Sequence, residues 1–308
     1  MKVVALSGGV GGAKILLGLY RILPPGSLTA IVNVADDFEW HGLHISPDLD
    51  TALYALAGLS DYERGWGIAG DTFNMLEALR LLGEPSWFAV GDRDLATHIL
   101  RTRWLAEGLS LSEVTARFTD RLRIAATILP ATNERLRTWI RHPGGVMAFQ
   151  EYFVLNRWQT EVEGVEFQGS GCDPTPGVLQ AIEQSDLFVV GPSNPVVSIW
   201  PILHVKGVRD AIYSLRSARV GISPIVGGSA VSGPAGKLLK ALGYQVSAAG
   251  VAQFYSGLLT HFVIHRTDTD LVGQIESLGM RVLATDIIMG SLESKARLAE
   301  EILQWVLN

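Results

Sequence analysis

The first seventeen residues constrain the fold more than any other stretch. Val3-Val4-Ala5-Leu6 is a short apolar run, Ser7-Gly8-Gly9-Val10-Gly11-Gly12-Ala13-Lys14 follows it, and Ile15-Leu16-Leu17 resumes the apolar pattern. A β-branched run that breaks into glycines and resumes as an apolar helix is the strand, turn and helix opening of a nucleotide-binding α/β unit. Without a Cβ the backbone turns tightly and brings its N–H groups against phosphate oxygens, at the positive end of the following helix. The expectation is a phosphate site at Gly8, Gly9, Gly11 and Gly12, with Lys14 adding a point charge. The loop matches neither common template. A dinucleotide loop puts glycine where Lys14 stands, and a P-loop needs other residues than the Ala13 and Ile15 that flank the lysine. The competing reading is that the glycines only let a helix pack closely on a sheet.

A chain of 308 residues suits one large α/β domain with an insertion, or two domains. With 48% hydrophobic and 18% charged residues it carries a large core or a broad oligomer interface. The net charge of −6 and the lack of any basic run exclude a nucleic-acid surface. Cys172 is the single cysteine, so an internal disulfide and a thiolate metal cage are both excluded and a reducing compartment is the default. Met1-Lys2 precedes too few apolar residues for a signal-peptide core, and no run approaches a membrane span. A soluble, cytoplasmic protein is expected.

The pattern along the chain predicts a helix from Gly11 to Ile22 and a buried strand from Leu28 to Val34. Helices are expected over Ala52 to Leu59, Phe73 to Leu82, from the Gly91 to His98 segment toward Ala106, and Leu111 to Leu122 with Ser112 as cap. Trp87 to Val90 reads as a short strand and Met147 to Leu155 as an edge strand. Leu187 to Val190, Arg219 to Ile222, Thr260 to Ile264 and Arg281 to Ala284 read as later strands, and Leu292 to Val306 as a closing amphipathic helix. The fold class is α/β, Rossmann-like, with three layers and a mostly parallel sheet. One domain is expected over 1–308, with a mainly helical insertion at about 92–138.

Carboxylates gather near the predicted phosphate loop. The second strand runs into Asp36-Asp37, and Asp48 and Asp50 follow in Ile45-Ser46-Pro47-Asp48-Leu49-Asp50-Thr51. In an extended segment residues two apart share a face and can share a divalent cation; the alternative is that Asp50 caps a helix. Like charges this close need a cation to offset them, and magnesium is the natural candidate. Gly91-Asp92-Arg93-Asp94-Leu95-Ala96-Thr97-His98 opens the next helix. Arg93 there suits a phosphate clamp and Asp92 a cap, while His98 is either a site donor or a satisfied half-buried histidine. Gly191-Pro192-Ser193-Asn194-Pro195 ends a strand at the edge where open α/β sheets bind ligands. Ser232-Gly233-Pro234-Ala235-Gly236-Lys237 resembles a phosphate loop weakly, since Leu238 stands where a P-loop has Ser or Thr. Of eight tryptophans, Trp40, Trp66 and Trp87 lie near the proposed site.

Taken together, the glycine loop, the Ile45 to Thr51 and Gly91 to His98 segments, Ile128-Leu129-Pro130, Gly191 to Pro195 and Ser232 to Lys237 resemble the signatures of the 2-phospho-L-lactate transferase family, in family order. The resemblance implies a magnesium-dependent transfer in coenzyme F-420 biosynthesis. A guanosine-diphosphate-linked donor carries lactate, enolpyruvate or glycerate, the acceptor is 7,8-didemethyl-8-hydroxy-5-deazariboflavin, and GMP leaves. It implies a Rossmann-like fold and a homodimer. On that basis Gly191, Ser193, Asn194 and Pro195 join the glycine loop in holding the nucleotide. Asp48 and Asp50 hold magnesium or orient the acceptor hydroxyl, with Asp36 and Asp37 auxiliary. Asp50, Asp92 and His98 face the deazaflavin, and Arg93 and Lys14 stabilise phosphoryl charge. Some relatives carry lysine where Ala89 stands, so no role is carried over there. A non-catalytic nucleotide-sugar-binding regulator of the gluconeogenesis-factor type is the alternative.

Overall fold

In the computed structural model, which describes residues 1–169 and 171–308, the apolar runs pair into one seven-stranded sheet. Its strands are β1 (Val3–Ser7), β2 (Leu28–Val32), β3 (Thr127–Pro130), β4 (Leu187–Val190), β5 (Ala218–Ile222), β6 (His261–His265) and β7 (Arg281–Thr285). Their spatial order is β7-β6-β5-β4-β1-β2-β3, and every pairing is parallel. Strands covered on both faces need no polar alternation, and β1 and β4 are buried at every residue. Helices flank the sheet in a Rossmann-like three-layer arrangement.

The chain reverses direction across the sheet between β1 and β4, with β2 and β3 on one side and β5, β6 and β7 on the other. That switch point opens a crevice at the carboxyl ends of the strands. Helix α1 (Gly9–Ile22) starts there and packs along α2 (Pro47–Leu56) and the closing α3 (Leu292–Leu307).

Several expectations are corrected. Helix Asp94–Ala106 and helix Leu111–Arg121 form as expected, but Thr127–Pro130 returns to the main sheet as its edge strand instead of continuing the helical stretch. Ser110, not Ser112, caps the second of these helices, its hydroxyl accepting from the Glu113 amide while Glu113 reaches back to the Ser110 amide. Trp87 to Val90 is no strand: it packs with Phe38, Trp40 and Leu76 in a second apolar cluster, where apolar side chains are buried without a ladder. Met147 to Leu155 splits into the hairpin strand Gly145–Ala148 and a single π-helical turn, Glu151–Leu155. With Arg137–His142 and Gly164–Gln168 that hairpin makes a small antiparallel sheet beside β2 and β3. No helix among the described residues is long and apolar enough to cross a membrane.

Candidate active site

Four segments meet at the switch point: the glycine loop after β1, Asn33 to Asp37 after β2, the first turn of α2, and Gly191 to Ser198 after β4. The loops touch directly. A methyl group on Gly11 would overlap the Pro192 carbonyl, so closeness of the two loops requires glycine there. Gly9 adopts φ +61°, the left-handed region, and its amide donates to Asp48 Oδ1 at 2.7 Å. Gly8 donates to Ser193 Oγ at 3.1 Å. Two of the loop's N–H groups are therefore taken within the protein, and those of Val10 and Gly11, in the first turn of α1, have no carbonyl four residues back in the helix to accept them. Asn194 accepts from the Val196 amide and caps the π turn Pro195–Ile199.

Asp48 is the centre of the cluster. Its Oδ2 accepts from Asn33 Nδ2 at 2.9 Å, and the same amide also reaches the Val197 carbonyl at 3.3 Å. Burial pushes the Asp48 carboxyl up to about 6; the bonds from Asn33 and Gly9 oppose the rise, and the Asp37 charge adds to it. Asp36 is raised well above the carboxylate range by burial first, then by the charges of Asp48 and Asp37. Asp37 Oδ2 accepts from Ser46 at 2.8 Å and lies 3.1 Å from His44 Nε2. The Oδ1 atoms of Asp36 and Asp37 are buried without a hydrogen-bond partner among the described residues.

Asp50 faces elsewhere. Asp48 and Asp50 both sit in the first helical turn, about 200° apart around the axis, so the extended geometry that would have aligned them does not arise. Both Asp50 oxygens bind the Arg101 guanidinium, which is buried. Burial raises the Asp50 carboxyl, and the Arg101 and His98 charges pull it back only partly. His98, 2% exposed, stands 3.6 Å from Asp50 and 3.4 Å from Asp94, and Asp94 accepts from the Tyr54 hydroxyl at 2.6 Å. His98 is thus a buried histidine set between two carboxylates, its Nε2 without a hydrogen-bond partner among the described residues.

The remaining expected residues have surroundings of their own. Asp92 accepts from Thr72 Oγ1, from Asn74 twice and from the Met75 amide, and so caps the helix Asn74–Leu81; these bonds hold its carboxyl at about 2. Arg93 is exposed and its guanidinium reaches the Ala69 carbonyl at 3.4 Å. Lys14 lines a groove between α1 and α2 with Thr51, Tyr54, Tyr62 and Trp66. Sequence reading missed Asn33, which only its place at the end of β2 could have flagged. It also missed Arg101 and Arg137; burial and the Asp37, Glu39 and Asp36 charges act on Arg137 in opposite directions, leaving it lowered.

A hard divalent cation fits the Asp36, Asp37 and Asp48 group, because two orphaned oxygens and mutual repulsion leave it short of positive charge. Among the described residues no three acidic, histidine or cysteine side chains already close into a cage. Magnesium commonly takes only one or two protein carboxylates beside water and substrate phosphate. Asp50, committed to Arg101, is not part of that donor set.

The chain is a Rossmann-like α/β protein whose topological switch point brings together a glycine-loop helix and buried carboxylates. The profile of the family described as 2-phospho-L-lactate transferase CofD matches residues 3–298, and the chain belongs to that family of transferases. The chain is 41% identical to a phosphoenolpyruvate transferase of Streptomyces coelicolor, covering 98% of this chain and 97% of that one. It is 40% identical to a 2-phospho-L-lactate transferase of Methanosarcina mazei, covering 98% and 99%. A crystal structure of a UPF0052 family member from Bacillus halodurans shares the fold, with TM-score 0.67 and 17% identity over 98% of each chain.

Proposed function

We propose that the chain transfers a phospholactyl-type group, phospholactate, phosphoenolpyruvate or phosphoglycerate, from a guanosine-diphosphate-linked donor to 7,8-didemethyl-8-hydroxy-5-deazariboflavin. GMP is released and the coenzyme F-420 precursor without glutamates is formed. The reading rests on one observation beside family membership: under-neutralised buried carboxylates share the switch-point crevice with the amino-terminal turn of α1. An anionic diphosphate enters such a crevice only with a cation to offset the carboxylates.

In this reading the N–H groups of Val10 and Gly11 and the dipole of α1 receive the diphosphate, and the loop from Gly191 to Pro195 walls the nucleotide. One or two carboxylates of the Asp48, Asp36 and Asp37 group would hold magnesium, which when bound would neutralise phosphoryl charge and lower the acceptor hydroxyl's pKa. Asn33 and the Gly9 amide aim the Asp48 carboxylate. Asp50 serves through Arg101, fixing the first turn of α2 against the helix Asp94–Ala106. Positioning and charge neutralisation carry most of such a displacement at phosphorus. We further propose that the protein works as a cytoplasmic homodimer.

The test is turnover with the deazaflavin, magnesium and each of the three guanylyl donors, reading GMP and coenzyme products by mass spectrometry. Product from one donor supports the proposal and names the acid. No product from any, with a UDP-sugar bound by the folded protein, turns the reading to a regulator.

A further inference from the structure

We propose that Trp158 presents its outer face as a stacking platform for a flat, fused heteroaromatic ring. Phe149, Phe153 and Trp158 form a continuous ladder. The first two rings lie 5.5 Å apart at 11°, and the second and third 5.3 Å apart at 23°. The π turn Glu151–Leu155 provides the spacing that lines them up. Phe149 is buried and Trp158 is 42% exposed, so the ladder runs from the core into solvent. Its inner end abuts the carboxylate turn, where Gln150 Nε2 approaches the Asp36 carbonyl at 3.4 Å.

The outer end is held at a conformational cost. Arg157 and Trp158 both have φ of 49°, in the left-handed region that bulky residues avoid. The Trp158 amide donates to the Tyr152 carbonyl at 2.8 Å. Lys237 Nζ donates to the Trp158 and Gln159 carbonyls, each at 2.9 Å. The loop before Lys237 comes in at Gly233, where a Cβ would stand 3.6 Å from the Phe153 ring edge. The segment from Ser232 to Lys237, which resembles a phosphate loop in sequence, is here a clamp on an aromatic residue. Among the described residues the indole makes no second ring stack and has no cation over it, and it is 42% exposed. A strained, clamped and partly exposed indole, continuous with a stack, suits a planar ligand.

The fused ring at hand is the deazaflavin, an identity that rests on the transfer reading; the platform itself does not. The experiment titrates deazaflavin and GDP separately into wild type, W158A, W158F and K237M, by ligand fluorescence and by calorimetry, with thermal melts and sedimentation for each. W158A is expected to weaken deazaflavin binding about tenfold or more, in line with stacking losses on alanine substitution. W158F is expected to stay within about threefold and K237M to fall between, with GDP affinity unchanged throughout. Deazaflavin binding within twofold of wild type in W158A overturns the proposal. So does an equal loss of GDP affinity, absence of deazaflavin binding by the wild type, or dissociation of a dimer by W158A, which would make this face an interface between copies. Deazaflavin binding lost in W158A, with no turnover by the wild type, sinks the transfer reading and leaves the platform standing.

Discussion

Asn33 and Asp48, fifteen residues apart, share a buried hydrogen bond of 2.9 Å that ties the end of β2 to the first turn of α2. The bond aims a carboxylate that burial disfavours, and this gives stability a pH dependence. The folded carboxyl titrates at about 6 against an ordinary 3.8, so the folded state holds its proton more tightly than the unfolded one. Its stabilising contribution is present below the ordinary value and is lost as pH rises through about 6, roughly 3 kcal/mol in all. Denaturant midpoints at pH about 4.5 and 7.5 should show wild type losing ground to D48N as pH rises, with magnesium restoring it. Parallel behaviour of the two proteins at both pH values would refute the assignment.

Arg101 neutralises Asp50 inside the protein. Arg101→Met leaves a buried carboxylate unpaired and should cost about 3–5 kcal/mol, whereas the pair Arg101→Met with Asp50→Leu should recover most of it. Chemical denaturation of the two single variants and the double variant measures the coupling. Additive losses would show that the pair contributes nothing beyond its separate side chains.

At Gly11 the two loops of the crevice meet, and Gly11→Ala should force them apart. The expected loss is ~1–3 kcal/mol of stability together with a raised KM for donor. Gly290, around which a Cβ meets nothing within 4 Å, serves as the control and should change by less than about 0.5 kcal/mol on the same substitution.

The capping box at Ser110 predicts a loss of about 1 kcal/mol for Ser110→Ala and a much smaller one for Ser112→Ala, by thermal unfolding. Equal losses would return the cap to Ser112.

What could be read in the sequence follows from what each signal reports. Val3 to Leu6 and Leu187 to Val190 are continuous apolar runs because both faces are covered, and glycine or proline loops end them, so strands and switch-point loops were visible. Thr127–Pro130 was not, because a four-residue edge strand ending in proline has no periodicity to display. Trp87 to Val90 misled because an apolar run is indifferent to whether its partners are strands or aromatic rings. Acidic residues near the glycine loop were readable as a group. Their division was hidden, since it depends on Arg101, half a hundred residues away in sequence, claiming Asp50.

Val3 pairs with Leu187 and Gly18 packs against the Lys295 backbone, so the first strand and first helix each wait for a distant partner. During synthesis β1 keeps one edge open until Leu187 to Val190 has left the ribosome, and α1 keeps one face bare until α3 follows. At ordinary translation rates that interval is on the order of ten seconds or more. The nascent chain therefore carries an open parallel edge beside an unfinished crevice until the carboxyl-terminal half arrives.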